Sequence, residues 1–148
     1  NRYRQAGIDA KFVQDNESYS SYGVVRGLHF QKPPFTQAKL VSVIQGKVLD
    51  VAVDLRKGSP TYGKYVSALL TSENHHQLFV PKGFAHGFSV LEDNTIFAYK
   101  CSALYNKASE GSIIFNDPDI GVDWQVEKPI TSDKDKLGAT LKDFVSPF

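Results

Sequence analysis

The sequence predicts an all-β domain, an antiparallel sandwich or barrel with short helices at its periphery. Three observations carry that prediction. Side-chain character repeats with a period of two through the middle of the chain. The candidate strands are short and rich in β-branched and aromatic residues, and turn residues separate them at regular intervals. Helical periodicity is weak, near residues 1–10 and again over 137–144.

In chain order, the first clear strand is 24–31, Val24-Val25-Arg26-Gly27-Leu28-His29-Phe30-Gln31. Residues 40–44 and 48–54 flank Gln45-Gly46-Lys47 and read as a hairpin around a glycine turn. Segment 56–63, with Gly58, Ser59, Pro60 and Gly63, reads as a connecting loop. Strands then follow at 65–70, 77–80, 86–91, 95–101 and 112–115, punctuated by Pro81-Lys82-Gly83 and Glu92-Asp93-Asn94. There is no internal repeat and no low-complexity linker, so residues 1–148 are expected to form one domain.

Composition narrows the function. Hydrophobic residues make up 41% and charged residues 22%, as in ordinary globular domains. A net charge of +1 argues against a general nucleic-acid or membrane-surface binder. No apolar run approaches the roughly 18–20 residues of a membrane span, and no leader resembles a secretion signal. Cys101 is the sole cysteine, which points to a reducing, cytoplasmic setting. The chain begins at Asn1 and has no methionine, so an N-terminal segment of the full protein is expected to precede it. Between Glu17 and Asp50 there is no acidic residue, while Arg26, Lys32, Lys39 and Lys47 all fall there. On one concave face they would attract an anion such as a phosphate.

The histidines are His29, His75, His76 and His86. Pro81, Gly83 and His86 form a P-x-G-x-x-H pattern that resembles the second motif of cupin jelly rolls. A metal needs about three converging protein ligands. The H-x-H pair of metal-binding cupins is missing, and adjacent His75 and His76 would point to opposite faces of a strand. A metal-free, cupin-like jelly roll is therefore the expectation. His29 reads two ways on spacing alone, as a packed structural histidine or as a base, since imidazole is the side chain suited to proton transfer near neutral pH.

Longer blocks sharpen the reading. Asp15-Asn16, Arg26-Gly27-Leu28-His29-Phe30-Gln31, Gln37-Ala38-Lys39-Leu40-Val41, Asp50-Val51-Ala52-Val53-Asp54-Leu55-Arg56 and Pro81-Lys82-Gly83-Phe84-Ala85-His86-Gly87-Phe88 occur in this order. Tyr99-Lys100-Cys101, Tyr105-Asn106, Glu110-Gly111, Asn116-Asp117-Pro118 and Val122-Asp123-Trp124 follow. Together they resemble the dTDP-4-dehydrorhamnose 3,5-epimerase family over most of the chain, from about Gln14 to Asp135.

That resemblance implies a homodimeric cupin-like jelly roll with no metal and no cofactor. It implies inversion of C3 and C5 of dTDP-4-dehydro-6-deoxy-D-glucose, giving dTDP-4-dehydro-L-rhamnose on the way to dTDP-L-rhamnose. By the same resemblance His29 is the base and Asp135 the carboxylate that orients it, with Asp133 as the alternative. Lys39 meets the developing oxyanion and Tyr99 is the acid on the opposite face. Arg26 fits the diphosphate, and Gln14, Asn16, His86, Tyr105 and Glu110 are further substrate contacts. Family members also carry residues ahead of the stretch matching Asn1, including an arginine and aromatics that reach the partner's nucleotide site. The alternatives are a single-centre 3- or 5-epimerase of a related dTDP-sugar, a metal-dependent cupin enzyme, and a non-catalytic sugar-nucleotide binding module.

Overall fold

The computed structural model describes residues 2–148. It contains a short helix, α1 (Arg2–Gln5), and nine strands: β1 (Gln14–Ser20), β2 (Val25–Gln31), β3 (Lys39–Gln45), β4 (Lys47–Asp54), β5 (Tyr65–Thr71), β6 (Gln77–Val80), β7 (Phe84–Val90), β8 (Thr95–Cys101) and β9 (Glu110–Ser112). Two 3₁₀ turns, Lys107–Ser109 and Asp135–Leu137, complete the list. The strands form two antiparallel sheets, ordered β1-β8-β3-β6 and β5-β4-β7-β2-β9, packed as a jelly-roll sandwich.

The sheets meet over Val41, Val43 and Phe97 from the first and Val48, Leu70, Phe88 and Val90 from the second. A second cluster lies on the outer face of the five-stranded sheet. There Val25, Leu49, Val51 and Val53 pack under Ile113, Ile120 and Trp124, with Leu141, Phe144 and Phe148 adding to the cover. The C-terminal segment thus forms a third layer. This explains why β4 is buried along nearly its whole length and reads as an almost continuous apolar run rather than an alternating one. Each fully buried aliphatic side chain contributes about 1.5–3 kcal/mol of hydrophobic stabilisation.

Strands expected at 77–80 and 95–101 are found at those bounds, and those at 65–70 and 86–91 shift by one or two residues. Three expectations need correction. Residues 40–44 and 48–54 are strands but not a hairpin, because β3 pairs with β6 and β8 whereas β4 pairs with β5 and β7. Gly46 is the corner at which the chain leaves one sheet for the other. Its φ is +84°, and a Cβ there would sit 2.2 Å from Thr95 Oγ1. The strand expected at 112–115 ends at Ser112, after which Ile113 makes a single bridge to Ala139. The helical stretch expected at 137–144 is reduced to the end of the 3₁₀ turn Asp135–Leu137 and one further turn, in which the Asp143 and Phe144 N–H groups donate to the Thr140 and Leu141 carbonyls. No described helix is long and apolar enough to cross a membrane.

Candidate active site

A cleft opens between the two sheets, and each wall takes its side chains from the inward positions of named strands. On the five-stranded sheet His29 of β2 and His86 of β7 are direct cross-strand partners, so they share the inner face. Arg26 lies three residues before His29, and regular alternation would send it to the other face. The register slips between them instead, so that Arg26 pairs with Phe88 while His29 pairs with His86. This bulge brings both side chains to the cleft. Gly27 makes it feasible. Its φ is +124°, and an added Cβ would fall 2.7 Å from Gly87 Cα and 3.0 Å from the His86 carbonyl oxygen.

The opposite wall comes from the four-stranded sheet. Lys39 pairs with Cys101, Val41 with Tyr99, and Gln14 and Asn16 of β1 pair with Cys101 and Tyr99. All of these inward side chains but Val41 line the cleft. One recess, of about 130 Å³, is lined by Gln14, Asn16, Lys39, Tyr99, Tyr105 and Glu110 together with His29. A second, of about 170 Å³, is lined by Arg26, His86, Phe88 and Ser18, and again by His29, Lys39 and Tyr99. Those three residues join the two recesses into one site. Of the basic residues grouped by the sequence, Arg26 and Lys39 face the cleft, whereas Lys32 and Lys47 line neither recess.

Asp135 stands behind His29. His29 Nε2 and Asp135 Oδ1 are 2.5 Å apart, and the Gly27 N–H donates to Asp135 Oδ2 at 3.4 Å. The carboxylate is buried, with a side-chain exposure of 1% against 28% for His29. Burial by itself would raise this carboxyl, but the hydrogen bond and charge of His29 and the Gly27 N–H outweigh it and hold it below the ordinary range. An ionised Asp135 can only accept, so in the neutral form of the imidazole it is Nε2 that carries the proton, and Nδ1 is left as the basic nitrogen. Asp133 points into solvent and pairs with Lys136 at 3.7 Å, which removes it as the partner of His29.

A second histidine–carboxylate pair lies deeper: His86 Nε2 and Asp50 Oδ1 are 2.7 Å apart, with both residues buried. Burial pushes the His86 imidazole down, against the pull of Asp50, and Lys39 and His29 push the same way as burial. The sequence reading missed Asp50. Its signal is an aspartate in the middle of the apolar run Val48–Val53, since a buried carboxylate needs a partner.

Lys39 extends its Nζ over the Tyr99 ring, 5.6 Å from the centroid. Burial pushes its ammonium down, opposed by the carboxylates of Asp50 and Glu110. Burial raises the Tyr99 phenol, so it stays protonated and able to donate at neutral pH. The Cys101 thiol, also raised by burial, stays neutral and accepts from Asn16 Nδ2 at 3.5 Å. At the rim the Tyr105 hydroxyl donates to Glu110 Oε2 at 2.8 Å, and Lys134 Nζ reaches Glu110 Oε1 at 2.5 Å. Lys134 was also missed by the sequence reading, although it directly precedes Asp135. His75 and His76 lie exposed just before β6 and line neither recess. Among the described residues no group of three or more His, Cys, Asp or Glu side chains is arranged to hold a metal ion.

Comparison with known proteins gives a consistent result. The family model for dTDP-4-dehydrorhamnose 3,5-epimerase matches residues 1–143. A dTDP-4-dehydrorhamnose 3,5-epimerase from Shigella flexneri is 50% identical over 137 residues, covering 93% of this chain and 76% of its own. The crystal structure of the enzyme of that name from Elizabethkingia anophelis superposes with a TM-score of 0.91 at 51% identity, covering 96% of this chain and 79% of that one. The structure of a dTDP-6-deoxy-D-glucose-3,5-epimerase from Legionella pneumophila, in complex with dTDP-4-keto-L-rhamnose, superposes with a TM-score of 0.92 at 49% identity and covers 97% and 77%.

Proposed function

The chain belongs to the dTDP-4-dehydrorhamnose 3,5-epimerase family, and from that premise we propose how its cleft divides the work of inverting two carbons beside a ketone. The reaction is epimerisation of C3 and C5 of dTDP-4-dehydro-6-deoxy-D-glucose to dTDP-4-dehydro-L-rhamnose. Both carbons flank the C4 ketone, so each C–H is acidic enough to leave as a proton and give an enolate. Returning a proton from the other face inverts the centre.

One observation carries the assignment. A histidine backed by a buried carboxylate stands on one sheet, and a protonated tyrosine with a lysine beside it stands on the other. His29 takes the proton at Nδ1, and Asp135 fixes the tautomer and stabilises the imidazolium that forms. Lys39 meets the charge that grows on the C4 oxygen, an interaction worth on the order of 3 kcal/mol for a well-placed donor. Tyr99 returns a proton from the opposite face, and its raised phenol keeps that proton available. Arg26 holds the diphosphate, for which a guanidinium fork is matched. Gln14, Asn16, His86, Tyr105 and Glu110 hold the rest of the sugar nucleotide, supported by their positions around the two recesses.

The test pairs two variants with a fold check. His29→Ala is expected to keep the parental circular dichroism and lose turnover by at least ~10²-fold, the contribution of a general base. Tyr99→Phe is expected to impair epimerisation more than loss of the substrate proton, because the proton still leaves but is not returned. Normal product formation by both would overturn the assignment. We also propose that the working form is a cytoplasmic homodimer that binds no nucleic acid. The family resemblance supports the dimer, and the net charge of +1 fits the last point; light scattering reads the assembly directly.

A further inference from the structure

Among the described residues, two buried side-chain oxygens have no hydrogen-bond partner, Ser18 Oγ and Asp50 Oδ2. Asp50 is accounted for in part by His86, which holds its other oxygen. Ser18 has no such account. It belongs to the inward row of β1, where it pairs with Phe97, and it is next in that row after Gln14 and Asn16. Those two are engaged: Gln14 accepts from the Tyr105 N–H at 2.8 Å and donates to Asn16 at 2.9 Å, and Asn16 donates to Cys101. A buried hydroxyl left unpaired is a destabilising feature, and an alanine at the same place would relieve it. An unpaired hydroxyl lining a substrate cleft is therefore best explained by a bond made when substrate is bound.

The cleft identifies which part of the substrate that is. Ser18 lines the recess that holds Arg26 and His86, and not the one that holds Gln14, Tyr105 and Glu110. That recess holds both Arg26, assigned to the diphosphate, and the His29, Lys39 and Tyr99 group, assigned to the reacting carbons. In the sugar nucleotide the carbon between the phosphate-bearing C1 and the reacting C3 is C2, which carries a hydroxyl. A serine hydroxyl both donates and accepts, so it matches another hydroxyl in either direction. We propose that Ser18 is a positioning residue whose Oγ hydrogen-bonds the C2 hydroxyl and so turns the C3 proton toward His29. The proposal rests on the epimerase reading above and adds a substrate contact to it.

The test compares parent and Ser18→Ala on the natural 4-keto sugar nucleotide and on its 2-deoxy analogue, with thermal midpoints measured alongside. The expected result is a kcat/KM about five- to tenfold lower for the variant on the natural substrate, the worth of one hydrogen bond. On the 2-deoxy analogue the two proteins should match, and the midpoint of the variant should be equal to or above that of the parent. A variant within twofold of the parent on the natural substrate, an equal penalty on both substrates, or a lowered midpoint overturns the Ser18 assignment and leaves the epimerase reading standing. A parent that turns over neither substrate overturns both.

Discussion

His29 and Asp135 are held together by a hydrogen bond, and their relation shows what single residues contribute. The tail offers two acids, Asp133 and Asp135, and spacing cannot choose between them because both lie in a loosely patterned stretch. Burial chooses, since Asp133 is in solvent while Asp135 is enclosed against His29 and the Gly27 N–H. Asp135→Asn should therefore lower turnover by at least ~10²-fold, because an amide neither fixes the tautomer nor balances the imidazolium. Asp133→Asn should leave kcat within twofold of the parent. The reverse pattern in steady-state kinetics would show that the wrong carboxylate has been assigned. Lys39 was legible only through the family resemblance, for a lone strand lysine usually solubilises an edge. Its position over Tyr99 and its lowered ammonium are products of the folded cleft, which no local pattern encodes.

Among the elements, β2 decides whether the site exists. Gly27→Ala would force a Cβ against Gly87 Cα at 2.7 Å while holding an alanine at φ +124°. Overpacking and backbone strain each cost about 1–3 kcal/mol, so the thermal midpoint should drop by several degrees. Activity should fall with it, because the same bulge brings Arg26 and His29 to one face; a parental midpoint and kcat would rule this account out. Strands β6 and β8 were legible because their β-rich runs are bounded by turns. Strand β1 was not, because its inward row, Gln14, Asn16 and Ser18, is polar and faces a cleft rather than the core. The β3–β4 hairpin was misread because a glycine turn between two β-rich runs looks the same whether the chain stays in its sheet or changes sheets. The pairing of β4 with β7 carries a pH prediction through His86. Burial lowers its imidazole, so near and just below the ordinary value of ~6.5 the unfolded chain binds a proton that the folded chain does not. Stability should accordingly fall as the pH drops below ~6.5. His86→Gln should flatten that part of the profile, and equal slopes for the two proteins would exclude His86 as the titrating group.

On the scale of the whole molecule, the two sheets and the C-terminal layer hold the cleft walls at a fixed separation, and the Phe88–Phe97 contact ties the sheets together. Their ring centroids are 4.4 Å apart, and Phe97 also packs beside Tyr99 and His86. Phe97→Ala should destabilise the fold by about 3–5 kcal/mol in denaturant unfolding and should loosen the seat of Tyr99. A change below 1 kcal/mol would mean that the sheets are held elsewhere. The all-β class was legible in the sequence, and so were most of the polar residues that line the cleft. The third layer was not, because segment 113–148 contributes packing surface with almost no strand pairing to betray it. The central claim is that this cleft moves protons at both carbons flanking a ketone, and solvent exchange reads it most directly. Incubating the protein with dTDP-4-dehydro-6-deoxy-D-glucose in heavy water should place deuterium at C3 and at C5, with His29→Ala slowing both by at least ~10²-fold. Absence of deuterium at both carbons, or undiminished exchange by His29→Ala, would contradict it.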